Sequence, residues 1–144
     1  RPGGAPYEYA GSHGDCHITN CIGTPRNRIQ LAATWDVNAW RVGAVVNYRG
    51  SMSARDPQDH PNGCAFNVGG NPFPADCKIK SFSTLDMNFS WKFRQNTELF
   101  GSIANVLDSK PPLDPITYGA LGYNPLDYSG AIGRYFRVGL KHKF

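Results

Sequence analysis

What this chain lacks narrows its class before any motif does. No apolar run approaches the roughly 20 residues that a membrane-spanning helix requires, so helical spanning is excluded. Charge is sparse: 15 Lys and Arg stand against 11 Asp and Glu, and a net charge of +4 is too little to argue for nucleic acid. The close cysteine pairs of structural zinc sites are missing, since four residues separate Cys16 from Cys21 and twelve separate Cys64 from Cys77. No phosphate loop appears. Residues 11–17, GSHGDCH, supply Ser, His, Asp and Cys in a row, but neighbours on a loop form no oriented triad and the Ser is in no nucleophile elbow. Catalysis is therefore not expected. Nor is there a signal peptide or an initiator Met before Arg1, and the expectation is a cut precursor or a piece of something longer.

What is present is a β pattern. A strand that crosses a membrane in a barrel needs only about 9 to 11 residues with every second one apolar, so a mean hydropathy of -0.43 excludes nothing of that kind. Residues 28–36 alternate, with Ile29, Leu31, Ala33 and Trp35 on one side and Gln30, Ala32, Thr34 and Asp36 on the other. A short turn at residues 37–39 leads to a return strand over 40–48, which places Trp40, Val42, Ala44, Val46 and Tyr48 on one face. Residues 82–93 alternate most cleanly, with Leu85, Met87, Phe89, Trp91 and Phe93 opposite Thr84, Asp86, Asn88, Ser90 and Lys92. That is the pattern expected when one face meets lipid and the other meets water. Another short turn at 94–96 precedes a strand over 97–107, whose facing is ambiguous because Leu99, Gly101 and Ile103 compete with Phe100, Ala104 and Val106. Residues 7–10 read as the tail of an earlier strand.

The four cysteines lie in Gly/Pro/Asn-rich stretches, and pairing within each stretch, Cys16 with Cys21 and Cys64 with Cys77, is the economical choice among three. Disulfides imply an oxidising compartment such as the periplasm or the cell surface. The rival is a metal site using His13 and His17 beside Cys16.

The connections run long (11–27), short, long (50–80), short, long (108–132), and then comes a last strand. Both tight turns thus share one side with the chain end, and the long loops share the other. Outer-membrane barrels have short periplasmic turns and longer extracellular loops. Trp35 and Trp40 flank one tight turn, either as core aromatics of a hairpin or as an interfacial girdle. In the last stretch, Phe136, Val138, Leu140, His142 and Phe144 fall on one face. That ending resembles the terminal signal read by the barrel-assembly machinery of outer-membrane proteins, with His142 where an aromatic residue is more usual.

Residues 103–113, IANVLDSKPPL, resemble the penultimate-strand segment of TonB-dependent outer-membrane receptors. Downstream, Tyr123-Asn124-Pro125, Tyr128 and Gly133-Arg134-Tyr135-Phe136 are similar to the elements that precede the last strand in that family. The motif match covers about the last 45 residues; departures are Ala104, where many members have a second Asn, and the wider Tyr128 to Arg134 spacing. The resemblance implies an all-β fold: an antiparallel transmembrane β-barrel of about 22 strands, of which residues 1–144 supply the C-terminal five to six. It implies a Gram-negative outer membrane, uptake of a metal-siderophore, cobalamin or glycan, and no cofactor. The partners implied are outer-membrane lipid, the barrel-assembly machinery, and the N-terminal remainder with its plug, through which the TonB complex is engaged. Neither a plug nor a TonB-binding box is identifiable here.

Five strands cannot close a barrel, so pairing with a missing portion is expected. The side chains expected to reach a ligand are Arg49, Thr84, Asp86, Tyr118, Tyr123, Tyr128, Arg134 and Tyr135, unless they merely solvate the lumen and fix the loop. Lys141, Lys143, Arg41 and Lys92 read as a basic periplasmic end of the wall. The alternatives are a secreted, disulfide-bonded β-sandwich binding module, for which Cys21 to Trp35 approaches the immunoglobulin interval, and a fragment of another outer-membrane barrel or porin.

Overall fold

The computed structural model describes residues 10–13, 23–54, 67–68, 71–72, 77–114, 122–124, 127 and 132–144. These residues form β1 (Ser12–His13), β2 (Gly23–Thr24), β3 (Arg28–Val37), β4 (Trp40–Arg49), β5 (Met52–Ser53), β6 (Asn67–Val68), β7 (Asn71–Pro72), β8 (Lys78–Ile79), β9 (Phe82–Arg94), β10 (Thr97–Ala104) and β11 (Tyr135–His142). Among the described residues no helix is long and apolar enough to cross a membrane.

The chain divides into two compact units. One comprises Arg1–Asn27, Gly50–Ser81 and Pro112–Tyr123; the other comprises Arg28–Arg49, Phe82–Pro111 and Asn124–Phe144. The second holds a five-stranded sheet in the order β11-β10-β9-β4-β3, every described pairing antiparallel. Strands that follow one another in the chain are thus neighbours in the sheet, because tight turns and loops both return the chain beside the strand it has just left. β3 and β4 pair from Arg28↔Arg49 to Val37↔Trp40, so the turn is confined to Asn38 and Ala39. Asn38 takes a left-handed φ of 54°, which Asn tolerates better than most residues.

β10 ends at Ala104, three residues before the expected 107, although Val106 and Leu107 are apolar. Asn105 takes φ of 50° and turns the chain out of the strand. β11 begins at Tyr135, two residues after Gly133, whose φ of 74° is left-handed. Between Thr97 and Glu98 the β9–β10 register slips: Thr97 pairs with Arg94 and Glu98 with Lys92, which leaves Phe93 as the extra residue of a bulge.

The first unit contains a small sheet ordered β2-β1-β5-β8, in which β1 and β5 are parallel. Residues 11–27 and 50–80, read from sequence as loops, therefore carry two-residue strands. Met52, Ala54, Cys77 and Ile79 form its buried core. Backbone bonds from Ser53 N to Gly11 O and from Ala54 N to Cys77 O, each 2.7 Å, tie the strands together. Of the expected early strand tail, Ala10 lies in a turn and residues 7–9 lie outside the described residues.

Candidate functional site

The pairing register decides which side chains share a face, because directly opposed residues in a ladder point the same way. Leu31, Val46 and Leu85 are opposed across β3, β4 and β9, as are Trp35, Val42 and Phe89. The set continues through Phe89↔Gly101↔Val138, Met87↔Ile103↔Phe136 and Trp91↔Leu99↔Leu140. β10 thus contributes Leu99, Gly101 and Ile103 to the apolar face, which settles the ambiguity in its facing. The apolar side chains stay uncovered: Leu31, Val138 and Leu140 are 65%, 71% and 63% exposed.

Two features order this face. At the turn edge Trp40 and Trp91 stack with ring centroids 5.0 Å apart and planes 5° apart, and Phe93 packs on Trp91 at 5.2 Å. At its middle the Phe89 ring lies over Gly101, where a Cβ would come within 2.6 Å of the ring.

The opposite face is polar and hydrogen-bonded. Gln30 donates to Asn47 Oδ1 at 2.8 Å; Asn47 in turn donates to Thr84 Oγ1 at 3.3 Å and to Asp86 Oδ2 at 2.9 Å. The other Asp86 oxygen accepts from the backbone N–H of Asn105 at 2.7 Å. Arg49 donates to both oxygens of Asp127, at 2.8 and 2.6 Å, with both side chains nearly removed from solvent. Bidentate geometry of this kind is what allows so polar a pair to be buried.

The edges differ as the order of connections predicts. Lys143 N donates to Asn96 O at 2.9 Å and Lys92 N to Ala39 O at 2.9 Å, so both tight turns and the end of β11 lie together. Thr97 Oγ1 meets His142 Nδ1 at 2.9 Å, and the His142 ring makes an edge contact with Phe144. The longer connections leave from the opposite edge, at Arg28, Arg49, Phe82, Ala104 and Tyr135.

At that edge the two motif segments meet. Asn105 is fully buried, and its side chain both donates to Ser109 O and accepts from Ser109 N at 2.9 Å. Asp108 then accepts from Lys110 Nζ at 3.0 Å and from the backbone N–H of Arg134 at 3.1 Å. Its carboxyl is held below its ordinary value, first by the Lys110 hydrogen bond and then by that of Arg134. Gly133 lets this happen, since a Cβ there would lie 3.0 Å from Asp108 Oδ1. These residues fix where the last long loop leaves and re-enters the sheet.

The residues expected to reach a ligand are placed differently from one another. Arg49 and Asp86 are brought close to Asp127 and Asn47 and are committed to protein partners. Arg134 is exposed and Tyr135 is 49% exposed. Tyr123 is half-buried and bridges to Leu113, both residues lying in the first unit. Tyr118 and Tyr128 lie outside the described residues. Cys77 is buried and disulfide-bonded; Cys16, Cys21 and Cys64 lie outside the described residues, so the pairing scheme stays an expectation. Among the described residues no group of His, Cys, Asp and Glu could hold a metal ion. Sequence reasoning did not single out Asn47, Asn105 or Asp127 as site residues. For Asn47 the signal was available: a polar side chain at an inward position of an otherwise apolar strand, opposite Thr84.

No protein-family model matches the chain, and neither does any curated protein. Among solved structures it is similar to the copper transporter OprC, with 14% sequence identity and a TM-score of 0.48, over 88% of this chain and 18% of that one. The chain thus spans less than a fifth of that protein's length, and a likeness so loose assigns no function.

Proposed function

We propose that this chain is part of the wall of a TonB-dependent outer-membrane receptor, its apolar face against lipid and its polar face toward the lumen. One observation carries this: five registered strands put uncovered apolar side chains on one face, and on the other a hydrogen-bonded polar network. A sandwich would cover that apolar face with a second sheet. In this reading the turn edge is periplasmic and the long loops are extracellular, stapled by disulfides within each cysteine pair. Transport is then of a scarce nutrient, a metal-siderophore, cobalamin or glycan, and the TonB complex acts through a plug supplied by the rest of the receptor.

Among the described residues no strand pairs with the outer edge of β3 or of β11, which supports the same reading. An unpaired backbone group in hydrocarbon costs several kcal/mol, so both edges require partner strands from the remainder of the barrel. Intact mass of the native species, extracted in mild detergent and denatured without reduction, tests this. A mass well above 15.8 kDa, or a co-purifying second chain, is expected. A 15.8 kDa species that stays folded without detergent contradicts it.

A further inference from the structure

The bulge in β9 changes the face that one cation occupies. Under strict alternation Arg94 would follow Lys92 onto the polar face. With Phe93 as the extra residue, Arg94 is opposed instead to Thr97, which stands two positions from Leu99 and therefore on the apolar face. Thr97 is opposed in turn to His142, and the hydrogen bond between their side chains confirms that they share that face. Arg94 and His142 are both exposed, at the same edge as the Trp40, Trp91 and Phe93 rings.

Among the described residues no Asp or Glu is registered on the apolar face. The acids of this edge, Asp36 and Glu98, are opposed to Arg41 and Lys92 on the polar one. These features select an occupant with two parts. Uncovered rings and aliphatic side chains match an acyl chain, and a guanidinium matches a phosphate. A free phosphate would leave the rings uncovered, and a zwitterionic headgroup would bring an ammonium group to a rim that has no carboxylate to receive it. A headgroup of net negative charge meets both conditions.

We propose that an anionic phospholipid binds at the turn edge of the apolar face, its phosphate on Arg94 and its chains over Trp91, Leu99 and Leu140. The inference rests on the barrel-wall reading, which turns this face to lipid. The test uses the intact protein in detergent, its fold followed by the mobility shift of unheated sample on a denaturing gel. It is titrated with phosphatidylglycerol or phosphatidylcholine, and bound lipid is counted by native mass spectrometry. Phosphatidylglycerol should be retained in preference. Arg94→Gln should weaken its binding about fivefold, the contribution of one basic residue at an anionic surface, and Arg94→Lys should keep most of it. Arg137→Gln, which removes a cation from the polar face opposite Ser102, should leave binding unchanged. Equal retention of the two lipids, an equal loss in Arg137→Gln, or full competition by glycerol 3-phosphate at the same concentration overturns the proposal. Such a result with the mobility shift retained defeats the lipid site alone; a wild-type protein with no shift defeats the barrel reading with it.

Discussion

Arg49 holds both carboxylate oxygens of Asp127, 78 positions away in the chain, at 2.8 and 2.6 Å, and neither side chain is open to water. The pair ties the end of β4 to the last long connection. Removing one partner leaves a buried charge uncompensated, so Asp127→Ala should destabilise the folded protein by about 3 to 5 kcal/mol. An Arg49→Met, Asp127→Leu double variant should recover much of that loss. Thermal unfolding in detergent checks both, and a double variant no better than Asp127→Ala would show that the ion pair is not what matters there.

The apolar and polar faces should respond oppositely to charge. Phe89→Lys places an ammonium group in the middle of the apolar face and should cost about 2 to 4 kcal/mol and reduce assembly. Thr34→Lys, at a position registered with Gly43 on the polar face, should assemble normally. In the proposed barrel-wall reading, assembled protein in the membrane fraction is the readout, and equal yields would mean that the facing is wrong.

Gly101 is required by the ring above it. A Cβ there would sit 2.6 Å from Phe89 Cε1 and 3.1 Å from the carbonyl oxygen of Arg137, so the strand cannot simply yield. Gly101→Ala should destabilise by about 1 to 3 kcal/mol through overpacking. Combining it with Phe89→Leu should return part of the loss, and additive effects in the double variant would separate the two sites.

The latch between Asp108 and Arg134 sets a pH dependence. Because the folded carboxyl lies below its ordinary value of 3.8, its contribution is fully present above that value and is lost as pH falls through the lowered one. The latch is therefore intact at neutral pH and fails only in acid. The amide resonance of Arg134, followed by NMR, should titrate below pH 3.8 in the native protein and lose that step in Asp108→Asn. A native inflection at or above 3.8 contradicts the hydrogen bonds as the cause.

How much of this was legible in the sequence depended on whether the determinant was local. The long strands were, since alternation over eight to thirteen residues leaves a period of two in the letters. The facing of β10 was not: Gly101 has no side chain to vote with, and only its registration against Phe89 and Val138 decides it. The end of β10 was hidden too, because the left-handed Asn105 overrides two apolar residues that would extend the pattern. Two-residue strands such as β1 and β8 carry no periodicity to read. Arg49 was singled out, yet its partner lies on a distant loop and no spacing rule connects them. The motif resemblance pointed to residues 103–113 and 133–136, and the structure gives a physical reason for Asn105, Asp108 and Gly133: they join the ends of one loop.

Lipid accessibility along β9 tests the central claim most directly. Nitroxide labels on cysteines introduced singly at residues 84–91, in the intact protein in membranes, report contact with lipid or with water. A wall facing lipid on one side gives alternation with a period of two, with labels at 85, 87, 89 and 91 relaxed by oxygen and those at 84, 86, 88 and 90 by a water-soluble agent. Uniform aqueous accessibility, or no alternation, would contradict a membrane-spanning wall.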